Sequence, residues 1–253
     1  MSTQPLFQVA GVDGCKAGWL VAIISVTKES NRTDARCVFE LKRVLVADTF
    51  AEVLSKTADC ELVCVDIPIG LSDRKPRECD LAARKVLGGQ RASSVFPAPI
   101  RPCLLAKDYE TASEICFEHS GKKLNRQSFA LLKKIRQVDD LMTPALQRRV
   151  REIHPEVSLW VLNHKKPTRY KKTRLIGRSE RMKLLAPIFS ELERIVAEAR
   201  KPKEAAPDDI LDALVAAWTA SQVVLGKAKT LPDNPEFDSK GLRMEILCPT
   251  FYN

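Results

Sequence analysis

Two apolar runs open the chain. Residues 6–12 and 19–26 read as strands joined by a tight glycine-containing turn, a hairpin whose first arm ends on Asp13. In "ARCVFELKRVLV", 35–46, Cys37, Phe39 and Leu41 alternate with polar neighbours, the period of a third strand. "ADTFAEVLSKTAD", 47–59, puts Phe50, Val53 and Leu54 on one helical face behind a cap at Asp48 or Thr49. "ELVCVDIPIGL", 61–71, is a continuous apolar run broken by Asp66 and Pro68, as expected of a central parallel strand buried on both faces.

The pattern then changes. Residues 72–150 alternate helix and loop. "PRECDLAARKVLGG" reads as a helix stopped by Gly88 and Gly89, and "QRASSVFPAPIRP" as a proline-rich loop. "DYETASEICFEHSG" and "NRQSFALLKKIRQVDDLM" read as helices. "RVREIHPEVSLWVL", 149–162, reads as a strand running into a turn at His154-Pro155-Glu156. A helix is expected over 179–201 with Ser179 as cap, split in two by Pro187. "PDDILDALVAAWTASQVVLG", 207–226, reads as a strong amphipathic helix ending at Gly226. The tail from 230 reads as loop plus a short strand at "LRMEIL". No internal repeat or low-complexity tract interrupts the chain.

Composition narrows the class. The chain has 253 residues, enough for one domain with a sizeable insertion, and 45% of them are hydrophobic. No apolar run approaches the ~20 residues that span a bilayer. The start, "MSTQPLFQ", lacks the basic and apolar regions of a signal peptide, so a cytoplasmic protein without membrane association is expected. The eight cysteines are scattered and form no C-x-x-C pair, which favours reduced thiols over zinc or disulfides. Net charge is +9, but residues 121–183 hold 18 Lys and Arg against five Asp and Glu, so the rest is net negative. A basic segment densest at "HKKPTRYKKTR", 164–174, attracts polyanions or simply solvates a surface; charge alone leaves both open.

Four acidic features carry candidate chemistry. Asp13 and Asp66 each end an apolar strand, and parallel neighbours would carry both to the same end of the sheet, where α/β proteins collect their sites. Asp209 and Asp212 share one face of the last helix by their i, i+3 spacing. Glu156 follows a strand end. Each also has a local explanation: Asp13 and Asp66 can shape turns, and Asp208 and Asp209 suit a helix start. Asp212 is harder to explain locally, since Leu211, Leu214 and Val215 surround it. Together, carboxylates on two central strands and a late helix can converge on hard Mg²⁺ or Mn²⁺. Two such ions ~4 Å apart would suit phosphodiester hydrolysis, with the basic segment holding nucleic acid.

"GVDGCKAGW", "VDIPIGL", "SSVFPAP", "IHPE" and "DDILDALVAAWTA", in that order, resemble the segments that mark the domain of unknown function 429 family, described as predicted nucleases of the ribonuclease H-like superfamily. The resemblance runs from Gly11 to "GLRMEILCP", and the D-x-x-D-A-L of Asp209 to Leu214 is also similar to the last helix of RuvC-type junction resolvases. It implies an α/β fold with a central mixed five-stranded sheet in order 3-2-1-4-5, flanked by helices. A single domain spanning 1–253 is expected, with a mostly helical insertion at about 73–148 after strand four. It further implies a two-metal nuclease in which Asp13 bridges both ions and Asp66 completes one side. Asp209 or Asp212 would hold the ion that activates water, with Glu156 as a further ligand. His154 would shuttle a proton or orient Glu156, though a structural role beside the proline turn is also open. Lys16, Arg91, Lys171 and Lys172 are candidate phosphate contacts.

Two other readings stand beside this one. "VDGCKAG" also resembles the first phosphate loop of the actin and sugar-kinase group, which would make the protein an ATP-dependent phosphotransferase. That group needs a second glycine-rich loop, and "LGGQ" at 87–90 is a poor one. The third reading is a non-catalytic nucleic-acid-binding module that keeps the fold and the basic face. Nothing in the sequence distinguishes DNA from RNA or sets an oligomeric state.

Overall fold

The computed structural model describes residues 6–28, 37–199 and 205–250. β1 (Phe7–Cys15) and β2 (Gly18–Lys28) form the expected antiparallel hairpin, and β3 (Cys37–Ala47) pairs antiparallel with β2. Residues 35 and 36 of the expected third strand lie outside the described residues. After α1 (Phe50–Lys56), capped by Thr49, β4 (Leu62–Val65) runs parallel to β1. β5 (Val150–Glu152) is parallel to β4, which completes a five-stranded mixed sheet in the order β3-β2-β1-β4-β5. The order is the one expected from the sequence.

Between β4 and β5 the chain passes through α2 (Glu78–Arg91), α3 (Tyr109–Ser120) and α4 (Arg126–Leu141). Gly88 does not stop α2 as expected. At φ 67° it kinks the helix, which then continues to Arg91.

Residues 149–162 depart further from expectation. Three residues are strand, and α5 (Pro155–Leu162) follows at once instead of a turn. Pro155 suits the first helical turn and His154 caps it, with the Glu156 N–H donating to His154 Nδ1 at 3.2 Å. Val157, Leu159 and Val161 are all buried, so the helix shows the unbroken hydrophobicity of a buried strand.

α6 (Leu175–Leu185) starts four residues before the expected cap Ser179, and α7 (Leu192–Ala199) follows the break near Pro187. The end of that expected helix, 200–201, lies outside the described residues. α8 (Pro207–Val224) forms where expected, but it is buried at every position from Ile210 to Gln222 rather than amphipathic. The tail holds two strands rather than one: β6 (Ala228–Phe237) pairs with β7 (Arg243–Pro249) in a separate antiparallel ribbon. Pro232 and Pro235 hide β6 from the pattern, and its pairing is interrupted between Leu231 and Glu236.

Strand alternation sorts the core into two layers. Val9 and Cys15 of β1, with Leu62 and Cys64 of β4, pack with α8, α5 and the β6–β7 ribbon. Ala10 and Val12, with Val63 and Val65, pack with α1 and α4 on the other side. Gly11 lies on the α8 side and sets how close that helix comes. A Cβ there would sit 2.0 Å from the Ala217 nitrogen and 2.1 Å from the Ala213 oxygen. The missing side chain therefore lets α8 rest directly on the backbone of β1.

Candidate active site

The same alternation aims the acidic residues. Asp13 follows Val9 and Gly11 on the α8 side of β1, and Asp66 follows Leu62 and Cys64 on the α8 side of β4. The strands are in register to their ends: Val12 pairs with Val65, and the Asp66 N–H donates to the Val12 oxygen at 2.9 Å. Neighbouring parallel strands thus deliver two carboxylates to one corner. α8, seated on Gly11, brings Asp212 and Asp209 to the same corner. Asp13, Asp66, Asp209 and Asp212 all line one cleft of about 610 Å³.

The carboxylates differ in how they are held. Asp13 is buried and accepts the Gly14 N–H at 2.8 Å. Burial, then repulsion from Asp212 and Asp66, pushes its carboxyl well above the usual range. Burial, offset in part by His154 and Lys172, pushes Asp66 up to about 6. Asp209 is half-buried and raised by burial; it accepts the Ala206 N–H at 3.1 Å, across the first turn of α8. Asp212 is 1% exposed in a helix buried almost throughout from Ile210 to Gln222. Its Oδ2 accepts from Lys172 Nζ at 2.5 Å, while its Oδ1 is buried with no hydrogen-bond partner. Burial raises the Asp212 carboxyl, and its charge holds the Lys172 ammonium above the usual lysine range.

Glu156 lines the cleft but is engaged otherwise. It pairs with buried Arg181, accepts Thr168 Oγ1 at 2.7 Å and meets Arg91 Nη2 at 2.8 Å. Burial would raise its carboxyl, but Arg181, Thr168 and Arg91 outweigh it and hold the group below the usual range. The geometry commits Glu156 and Arg91 to each other. His154 caps α5 and turns its Nε2 toward the Ser94 oxygen at 3.3 Å, a positioning arrangement at the cleft wall.

Lys171 and Lys172 line the cleft, whereas Lys16 is exposed on the β1–β2 turn and is not part of the lining. The segment that carries the two lysines is tied down. Arg181 donates to the Tyr170 oxygen at 3.1 Å, and Glu180 accepts the Arg169 N–H at 2.9 Å. A Cβ at Gly177 would sit 2.1 Å from the Lys171 oxygen, so α6 and the lysine segment touch backbone to backbone.

Some of the lining was not singled out from sequence. Lys134 of α4 passes over Gly14, donates to the Gly18 oxygen and stacks 4.8 Å from the Trp19 ring centre. Phe96, 38% exposed, and Leu131 add apolar wall. Glu152, at the end of β5, is buried in a network with Arg77 and Asp80, at 2.8 Å from Arg77 Nη2. Burial pushes Glu152 up to about 7, even with Arg77 beside it. Its signal was present: like Asp13 and Asp66, it is an acid closing a strand.

The oxygen-rich donor set and the orphaned Asp212 Oδ1 match the chemistry of a hard divalent cation. Among the described residues, however, no three His, Cys, Asp or Glu side chains are gathered into a ready-made metal group. Lys172 supplies the positive charge there instead. The glycine pair Gly88–Gly89 lies within α2, not in a phosphate loop. All eight cysteines are free, and all but Cys37 are buried. Among the described residues no helix is long and apolar enough to cross a membrane.

No curated protein matches the chain. A solved structure of Thermus thermophilus RuvC is similar over 87% of this chain and 96% of that one, at 13% identity and a TM-score of 0.35. So remote a likeness assigns no role to any residue of the cleft. The family described as "Protein of unknown function (DUF429)" matches residues 11–237, a span that contains Asp13, Asp66, Asp209 and Asp212 together. The chain belongs to that family.

Proposed function

We propose that the cleft is the active site of a divalent-cation-dependent nuclease, hydrolysing phosphodiester bonds in nucleic acid. One observation carries the reading: four carboxylates from β1, the end of β4 and α8 line a single cleft and stay under-neutralised there. A protein spends stability on such an arrangement where function needs the charge. Asp13, Asp66 and Asp212, with Asp209 beside them, would hold Mg²⁺ or Mn²⁺. When bound, such ions supply Lewis acidity and an activated water for in-line displacement at phosphorus.

The chain's own groups do the rest. Asp13 is fixed by the Gly14 N–H and by the strand behind it, so its position does not depend on the substrate. Lys171, exposed at the rim, attracts the phosphate backbone. Phe96 and Leu131 give a base or sugar an apolar surface to rest on and keep water from that side. Glu156, with both oxygens engaged, braces the wall rather than ligating, which differs from the role the family resemblance implied.

The test is cleavage of a panel of DNA, RNA, hybrid and branched substrates with Mg²⁺ or Mn²⁺. Cleavage of at least one substrate is expected, with a loss of about 10²-fold or more in Asp13→Asn. No cleavage of any substrate, or cleavage unchanged in Asp13→Asn, overturns the reading.

One observation favours a second reading, the non-catalytic nucleic-acid-binding module. Among the described residues the acids are not gathered as a metal group, and a lysine already pairs with one oxygen of Asp212. That module would bind nucleic acid equally well in EDTA and as Asp13→Asn, and would cleave nothing.

A further inference from the structure

Lys172 stands in an unusual place for a lysine of a basic segment. Its charge acts on Asp13, Asp66, Asp209 and Asp212 alike, and its ammonium contacts the most buried of them. We propose that Lys172 is a resident counter-cation of the carboxylate cleft, which a divalent cation displaces from Asp212. This rests on the metal-site reading above and adds the step by which the site is loaded.

Three features support the exchange. First, the neutralisation is incomplete. One monovalent ammonium faces several carboxylates and leaves Asp212 Oδ1 buried without a partner. A divalent cation brings twice the charge and coordinates about six or more oxygens at once, whereas an ammonium can donate to three at most.

Second, the two partners differ in freedom. The Lys172 side chain is 39% exposed and the Asp212 side chain 2%, so the lysine can leave and the carboxylate cannot. The lysine's backbone is held by the Arg181 bond to the Tyr170 oxygen and by the close approach of Gly177 to Lys171. The motion is therefore a side-chain swing and leaves the fold unchanged.

Third, the site needs a cation even when empty of metal. Asp13, Asp66 and Asp212 repel one another in a buried corner, and Lys172 opposes that repulsion in the metal-free protein. A divalent cation held by Asp212 would repel the Lys172 ammonium as a like charge, and the half-exposed side chain would be free to turn outward. Its charge then remains at the cleft, where a substrate phosphate would meet it.

The experiment is a Mn²⁺ titration at low ionic strength, followed by the paramagnetic resonance of free Mn²⁺, on the full chain and on Lys172→Met, Lys172→Arg and Asp212→Asn. Lys172→Met is expected to bind Mn²⁺ about ten- to a hundredfold more tightly than the wild type, Lys172→Arg about as the wild type, and Asp212→Asn much more weakly. Equal or weaker binding by Lys172→Met, with the wild type binding and Asp212→Asn impaired, overturns the counter-cation alone. No binding by the wild type overturns the metal site and the counter-cation with it.

A second measurement uses the wild-type residue and does not depend on the Met variant folding. With lysines reductively ¹³C-methylated, the Lys172 resonance is assigned by its absence in Lys172→Arg. Saturating Mg²⁺ should move it to the position it holds in Asp212→Asn. A resonance that stays in place at saturating Mg²⁺ overturns the proposal.

Discussion

Glu156 and Asp212 make an instructive pair. Both are buried, both sit near the start of a helix, and both touch a basic side chain contributed by residues 164–183. Around Glu156, two arginines and a threonine satisfy the carboxylate, and its proton affinity falls below normal. Around Asp212, one half-exposed lysine faces a group of acids, one oxygen is left over, and the proton affinities of Asp212, Asp13 and Asp66 all rise. The first cluster has the balance of a structural clamp. The second is short of positive charge by construction. Burial alone therefore does not separate the two acids; the positive charge placed around each does.

The contrast can be broken from the clamp side with the largest effect. Arg181→Met removes the buried partner of Glu156 and also frees the Tyr170 oxygen. A loss of about 3–5 kcal/mol is expected in urea unfolding, because a carboxylate is left buried beside too little positive charge. A loss below about 1 kcal/mol would mean that Arg91 and Thr168 suffice, and that the clamp is weaker than its geometry indicates.

From the cleft side the sign reverses. Asp66→Asn, measured in EDTA, should stabilise the protein by about 1–2 kcal/mol at pH 8. The folded carboxyl, at about 6, lies above its ordinary value of 3.8. Its contribution to folding is therefore fully present below pH 3.8 and is lost as the pH climbs through about 6. Replacing it with a neutral group relieves the ionised protein and changes little at pH 4. Thermal melts at both pH values check this, and destabilisation at pH 8 would place Asp66 with the compensated acids.

The smallest effect is at the rim. Lys171→Ala should leave stability within about 0.5 kcal/mol. It should lower the slope of log binding constant against log salt by about 0.7–0.9, one phosphate contact, in nucleic-acid binding assays. An unchanged slope would remove Lys171 from the interface.

Much of the fold was readable because its strands keep their periods. Cys37, Phe39 and Leu41 alternate on an edge strand, "LVCV" is apolar throughout because β4 is central, and Asp13 and Asp66 stand out as acids that end apolar runs. α8 was readable, with Asp212 as its anomaly, because no local role suits an aspartate among leucines. What hydropathy does not encode is partnership. Arg181 looks like one more surface arginine in a basic stretch until α6 places it against Glu156. Thr168 and Lys172 lie in a segment that reads as solvated loop, yet both reach buried carboxylates. α5 was mistaken for strand and turn because a helix buried on every side loses the 3.6-residue signature. Lys134 gives no local signal, since its place over Gly14 depends on where α4 docks.

The central claim is that the cleft between β1, β4 and α8 lacks positive charge because it is built to receive a divalent cation. Crystals soaked in Mn²⁺ and measured at a wavelength where manganese scatters anomalously test this directly. An anomalous peak should lie within about 2.0–2.6 Å of carboxylate oxygens of Asp13 and Asp212, and be absent from Asp13→Asn crystals. Manganese found only on the outer surface, with Lys172 still on Asp212 at saturating metal, would contradict the account.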